Sequence, residues 1–144
     1  MEIRRTPCDL GMARDCLACD SRNEMARFEN EAFTIAHAGI AATIEHLSGW
    51  RCAGCGEIEF YADSAARYAA AGDRLVRHER QRQSNKLRRI RRKLGLSQID
   101  AGRLTGGDHN AFSRQERGEA SPLPAVFNLS RLLDKHPELF KDLG

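Results

Sequence analysis

The chain of 144 residues has no long apolar run, few aromatic side chains and no lysine before Lys86. Its longest nearly uncharged apolar stretch, Ala32 to Ile44, is interrupted by His37. It falls well short of the roughly 18 residues that span a bilayer, which excludes a transmembrane helix. Aromatics at 6% and a mean hydropathy of −0.56 point to modest cores in small domains. The start of the chain mixes Arg4 and Arg5 with Cys8, Asp9, Arg14 and Asp15, without the apolar segment of a secretion signal, so a cytoplasmic protein is expected. His37, His46, His78, His109 and His136 show no H-x3-H or H-E-x2-H spacing and read as surface or satisfied polar residues.

Charge is present in quantity but unevenly placed. Residues 1–72 carry a net charge of −4 and residues 73–144 a net charge of +7, although the whole chain is only +3. An acidic half joined to a basic half is an argument about partners rather than fold, because a basic surface attracts polyanions and an acidic one suits basic proteins or solvent.

Four of the five cysteines form two pairs, Cys16-Leu17-Ala18-Cys19 and Cys52-Ala53-Gly54-Cys55. In a cytosolic chain such pairs read as a metal site before disulfides. Each C-x2-C turn directs two sulfurs at one point, and two turns complete a tetrahedral thiolate set suited to one Zn(II) per chain. A redox disulfide and an iron–sulfur cluster are the rival readings of the same residues. Four sulfurs leave no open position for water or substrate, so the ion is expected to be structural. Cys8 reads as a spare thiol. Phe33-Thr34-Ile35, Thr43-Ile44 and Ile58-Glu59-Phe60 have the character of short strands, with a turn at Ala38-Gly39, which is the pattern of a zinc ribbon.

From Ala62 to about Arg82 an Ala- and Arg-rich segment predicts a helix, broken or bent near Gly72. The polar stretch Arg77 to Asn85 reads as a hinge. The expected organisation is a polar extension over residues 1–15, a metal-binding domain with its connecting helix over 16–82, and a DNA-binding and dimerisation domain over 83–144. The fold class is α+β, with a small zinc ribbon of short antiparallel strands linked to an all-α, five-helix helix-turn-helix domain.

In the basic half, Leu87, Ile90 and Leu94 form one apolar stripe on a helix otherwise covered by Lys86, Arg88, Arg89, Arg91, Arg92 and Lys93, and Gly95 closes it. Arg88 and Arg91 are expected to meet DNA phosphates. Ser97 starts a second helix with a capping box to Asp100, and Thr105 to Asp108 form the turn to a third, running from about His109 to Arg117. Ser121 and Pro122 open a fourth, which Pro137 ends after about His136, and a last short turn carries Leu139 and Phe140. A rotation of about 100° per residue places Asn110, Ser113, Arg114 and Arg117 on one polar face of the third helix. Ala111 and Phe112 lie opposite. Such a helix anchors its inner face while offering an amide for adenine N6 and N7 and a guanidinium for guanine O6 and N7.

The run GGDHNAFSRQERGEASP followed by LLDKHPELF resembles the C-terminal half of the MqsA family of antitoxins from bacterial toxin–antitoxin systems, over roughly Asn85 to Leu143. The order of a four-cysteine ribbon and then a Cro/repressor-type helix-turn-helix is also similar. The resemblance implies a homodimer formed through the C-terminal domain, repression of its own operon at a palindrome, and an N-terminal domain that binds a partner toxin, often an mRNA-cleaving ribonuclease. It implies base reading by Asn110 and Arg114, contact with the DNA backbone at Ser97 and Gln98, and metal ligation by Cys16, Cys19, Cys52 and Cys55. An acidic ribbon would suit a basic ribonuclease. A regulator without a toxin partner is the alternative. An enzyme using the metal or Cys8 is the weaker rival, since no general base accompanies the thiol.

Overall fold

A computed structural model describes residues 14–143, which leaves Cys8 and nearly all of the N-terminal extension outside the described residues. Among the described residues, three strands, β1 (Met25–His37), β2 (Ile40–Cys52) and β3 (Ile58–Phe60), precede four α-helices, α1 (Ala62–Lys93), α2 (Gln98–Leu104), α3 (Ala111–Glu116) and α4 (Pro124–Lys135), and a final 3-10 segment (Pro137–Leu143). The architecture is α+β, and the chain divides into two units, Met1–Leu75 and Val76–Gly144.

In the first unit the strands form an antiparallel sheet in the order β1-β2-β3. Ala38 and Gly39 make the two-residue turn expected of them, both with positive φ, which matches the twist of the flanking strands. The strands are far longer than the short segments expected. Their alternation is interrupted by register shifts between Phe28 and Phe33, where Asn30 and His46 both take positive φ. The bulge is stitched by His46 Nδ1 to Asn30 Oδ1 at 2.5 Å, and by Arg67 of α1, which donates to the carbonyls of Glu45 at 2.7 Å and His46 at 3.0 Å. Ile44, Leu47 and Ala71 form the buried centre of this unit, with Phe33, Ile35, Phe60 and Tyr68 packed around them.

Helix α1 is continuous for 32 residues, so the break expected near Gly72 does not occur. Gly72 is there for packing: a Cβ at that position would lie 3.2 Å from Ile35 Cδ1. The polar stretch Arg77 to Asn85 is likewise helical rather than a hinge, because its polar groups are bonded within the fold. Ser84 is fully buried and donates to the Gln115 carbonyl at 2.9 Å, and Glu79 receives Arg82 and Gln83 one turn on.

In the second unit Leu87, Ala101, Phe112 and Val126 form the core, with Leu96 and Phe127 against them. Ser97 caps α2, its hydroxyl accepting the Asp100 N–H at 3.0 Å. The Asp100 carboxylate reaches back only as far as that hydroxyl, at 2.7 Å, consistent with a side chain one methylene shorter than the usual glutamate. Pro124 occupies the first turn of α4, and His136 ends it before Pro137. Among the described residues no helix is long and apolar enough to cross a membrane.

Candidate functional site

The two cysteine pairs sit together at the open end of the long hairpin, one before β1 and the other just where β2 ends. Their turns are built alike. The Cys16 N–H donates to Ser21 O and the Cys52 N–H to Glu57 O, both at 2.9 Å, and in each turn the residue after the second cysteine, Asp20 or Gly56, has positive φ. Further bonds, Met25 N–H to Arg14 O at 3.2 Å and Ala53 N–H to Glu24 O at 2.8 Å, bring the turns together. All four sulfurs then lie within 4.8 Å of one another, with Cys16 and Cys52 buried and Cys19 and Cys55 exposed.

Cys16 Sγ stands 3.7 Å from Cys55 Sγ, and Cys19 Sγ 3.7 Å from Cys52 Sγ. A disulfide requires about 2.05 Å. A tetrahedral ion with metal–sulfur bonds of about 2.3 Å holds its sulfurs about 3.8 Å apart, so the donor set and its spacing fit such an ion. The protonation energetics agree. The Ser21 hydroxyl and backbone N–H bring the Cys19 thiol down to about 6. At Cys55 the Glu57 N–H favours the thiolate but is outweighed by the neighbouring thiols and desolvation, which push it up to about 12. Cys16 behaves in the same way: N–H bonds from Cys19 and Ala18 favour its thiolate, but burial and the thiols of Cys52 and Cys19 raise it. Four thiolates this close cannot coexist without a compensating cation. Cys16, Cys19, Cys52 and Cys55 would hold that ion, which supplies cross-linking rather than reaction chemistry. Trp50 packs against Cys16, Met25 and Cys52 and lies under the guanidinium of Arg14.

The third-helix residues are placed by α3, which is shorter than expected, with Asn110 as its N-cap and Arg117 as its C-cap. Asn110, Arg114 and Arg117 are exposed, Ser113 is half-buried, and Phe112 is buried on the opposite side. Asp108 orients the start of the helix by accepting the Asn110 N–H at 2.8 Å. Ser113 Oγ accepts from Arg117 Nη1 at 2.5 Å.

The remaining sequence-predicted residues converge on Glu116, which sequence reasoning missed. Glu116 is 1% exposed. Its carboxylate accepts from Arg91 through both oxygens and from Gln98 Nε2 at 2.9 Å, with Arg88 Nε at 3.8 Å. Arg88 also donates to the Glu116 carbonyl at 2.8 Å, and Arg91 to the Leu96 carbonyl at 2.9 Å. Burial alone would raise the Glu116 pKa, but the bonds from Arg91 and Gln98 and the charges of Arg91 and Arg88 hold it below the usual value. Arg88, Arg91 and Gln98 therefore tie α1 and α2 to α3, and Ser97 stays exposed at the start of α2. The signal for Glu116 was available: it follows Phe112 by four residues, so an acid sits on the buried face opposite a strongly basic helix.

The family described as the antitoxin component of a bacterial toxin–antitoxin system, MqsA, matches residues 14–144. The antitoxin MqsA of Escherichia coli (strain K12) is 49% identical over 55 residues, a match covering 38% of this chain and 42% of that protein. Since the family match spans the cysteine cluster and every helix of the second unit, the chain belongs to the MqsA antitoxin family.

Proposed function

We propose that this chain is an antitoxin and autorepressor, holding one structural Zn(II) in its first unit and reading operator DNA with its second. The observation that carries the reading is the two-sidedness of α3. Phe112 and Glu116 are locked into the unit, while Asn110 and Arg114 stand in solvent on one face, as helix-turn-helix base readers do. In this reading α2 and α3 are the two helices of that motif within a five-helix domain. The Asn110 amide pairs with adenine and the Arg114 guanidinium with guanine. Ser97, Ser113 and Arg117 border the DNA backbone, and Gln98, Arg88 and Arg91 act one layer behind through Glu116.

The chain works as a homodimer through the second unit, on a palindrome whose half-sites lie about 34 Å apart or a multiple of that. Its acidic first unit, cross-linked by zinc, covers the basic RNA-binding surface of a ribonuclease toxin in the cytoplasm. The toxin reading rests on family membership and on the −4 charge of residues 1–72.

The experiment is a pull-down of the tagged full chain from its native cells, with mass spectrometry of bound proteins, metal analysis of the same sample, and a mobility shift on the DNA upstream of its own coding sequence. A small basic partner near equal stoichiometry, about one zinc per chain and a shifted duplex are expected. Zinc and a shifted duplex without such a partner would leave a stand-alone regulator and remove the toxin from the reading.

A further inference from the structure

Both exposed guanidiniums of α3 face a carboxylate of their own chain, but they are held very differently. Arg114 is held loosely, its Nη2 3.8 Å from Asp108 Oδ2. Arg117 is held closely, with three of its five N–H groups bonded within the chain. Its Nε and Nη2 donate to Glu119 Oε1 and Oε2 at 2.7 and 3.0 Å, and its Nη1 donates to Ser113 Oγ. The backbone fixes this arrangement. Gly118 takes φ of +73°, so the Gly118 N–H reaches Gln115 O at 3.1 Å and the Glu119 N–H reaches Arg114 O at 3.0 Å. That helix-ending turn returns residue 119 beside residue 117 on the exposed edge of α3.

From this geometry, and resting on the DNA-binding reading above, we propose that Glu119 is a specificity-determining residue that withholds Arg117 from DNA phosphates. The bidentate carboxylate neutralises the guanidinium and turns its Nε edge away, so a phosphate that approaches the two remaining N–H groups gains little and meets the charge of Glu119 beside it. Binding to arbitrary sequence consists of phosphate contacts alone, so it loses a full contact. Binding at the operator also draws on the base edges read by Asn110 and Arg114, which the clamp leaves accessible. A chain bound to arbitrary DNA can shift until a released Arg117 finds a phosphate, whereas base contacts hold the operator complex in one register. Glu119 therefore widens the gap between the two.

The test is a salt series of binding isotherms for the full chain, Glu119→Gln and Glu119→Gln/Arg117→Gln, on random-sequence duplex and on the duplex upstream of its own coding sequence. Glu119→Gln should tighten random duplex by about three- to tenfold, with the slope of log K against log salt steeper by about 0.9. The upstream duplex should gain less, and the double variant should lose the gain. Thermal melts should coincide with wild type, since Glu119 and Arg117 are both half exposed. Wild-type binding with no change in Glu119→Gln, a gain equal on both duplexes, or a gain that persists in the double variant overturns the clamp and leaves the DNA-binding reading standing. A wild-type chain that binds neither duplex at low salt removes that reading and the clamp with it.

Discussion

Replacing Glu116 by Gln tests whether one buried carboxylate holds the second unit together. The substitution keeps volume and one acceptor oxygen, but it sets an amide NH2 against the Arg91 guanidinium, whose side chain is only 14% exposed. Breaking a buried ion pair from one side costs about 3–5 kcal/mol, because the surviving charge stays desolvated. Arg91 keeps its bond to the Leu96 carbonyl and some access to solvent, which places the loss near the lower limit, about 3 kcal/mol. A unit of the size of Val76–Gly144 has roughly 3–10 kcal/mol of stability in all. The melting temperature should therefore fall by about 12–24 °C.

The assay is urea and thermal unfolding of the full chain followed by far-UV ellipticity, with Trp50, the sole tryptophan, reporting the first unit separately. The variant should shift the ellipticity transition. The double change Glu116→Leu/Arg91→Met should recover most of the loss, since it removes both charges. A loss below about 1 kcal/mol, or a double variant as unstable as the single one, would show that the ion pair is not what secures α3.

The Arg114→Ala variant should weaken operator binding by about 1–3 kcal/mol and leave random duplex nearly unchanged; equal losses on both would end its base-reading role. Chelation of the metal, or Cys52→Ser, should expose Trp50 to water and unfold the first unit, seen as a red shift of its emission; an unchanged spectrum in metal-free protein would mean that the sheet stands without the ion. Arg89 and Lys93 hold the Asp134 carboxyl at about 2 against an ordinary 3.8, so its contribution is present above the ordinary value and is lost as pH falls toward the lower one. Urea midpoints measured across that window should fall less steeply for Asp134→Asn, and parallel curves would contradict the assignment. At Gly49 an added Cβ would lie 2.2 Å from Glu59 O and 2.8 Å from Phe60 Cα, both backbone atoms, so Gly49→Ala should destabilise the first unit by at least about 1–3 kcal/mol; a melt equal to wild type would refute that close approach.

What the sequence revealed was chemistry carried by local spacing. The cysteine pairs, the Ala38-Gly39 turn, the Ser97 cap and the polar face of α3 each depend on residues within a few positions of one another, and each is found in the structure. Features set by distant contacts were hidden. Gly72 reads as a helix breaker until Ile35 of β1 is seen against it. The length of β1 and β2 is masked because the bulge at Asn30 and His46 shifts the alternation that marks a strand. Arg88 and Arg91 read as phosphate ligands because a basic helix face gives no sign that a carboxylate 25 residues after Arg91 turns back onto it.

The position of the cysteine turns gives the long hairpin a property that its hydrogen bonds alone would not provide. A two-stranded ribbon with bulges can slide, since a shift of two residues keeps each side chain on its face and rebuilds most of the ladder while moving the strands by about 6.8 Å. Here one end is closed by a tight turn and the other by four sulfurs whose separations an ion tolerates to about 0.2 Å. Such a slide would carry Cys16 and Cys19 out of reach of Cys52 and Cys55, so the slipped ribbon could not hold an ion. A metal held there would act as a proofreader of strand alignment: it would reward the one pairing in which Asn30 faces His46 and leave every alternative without its cross-link.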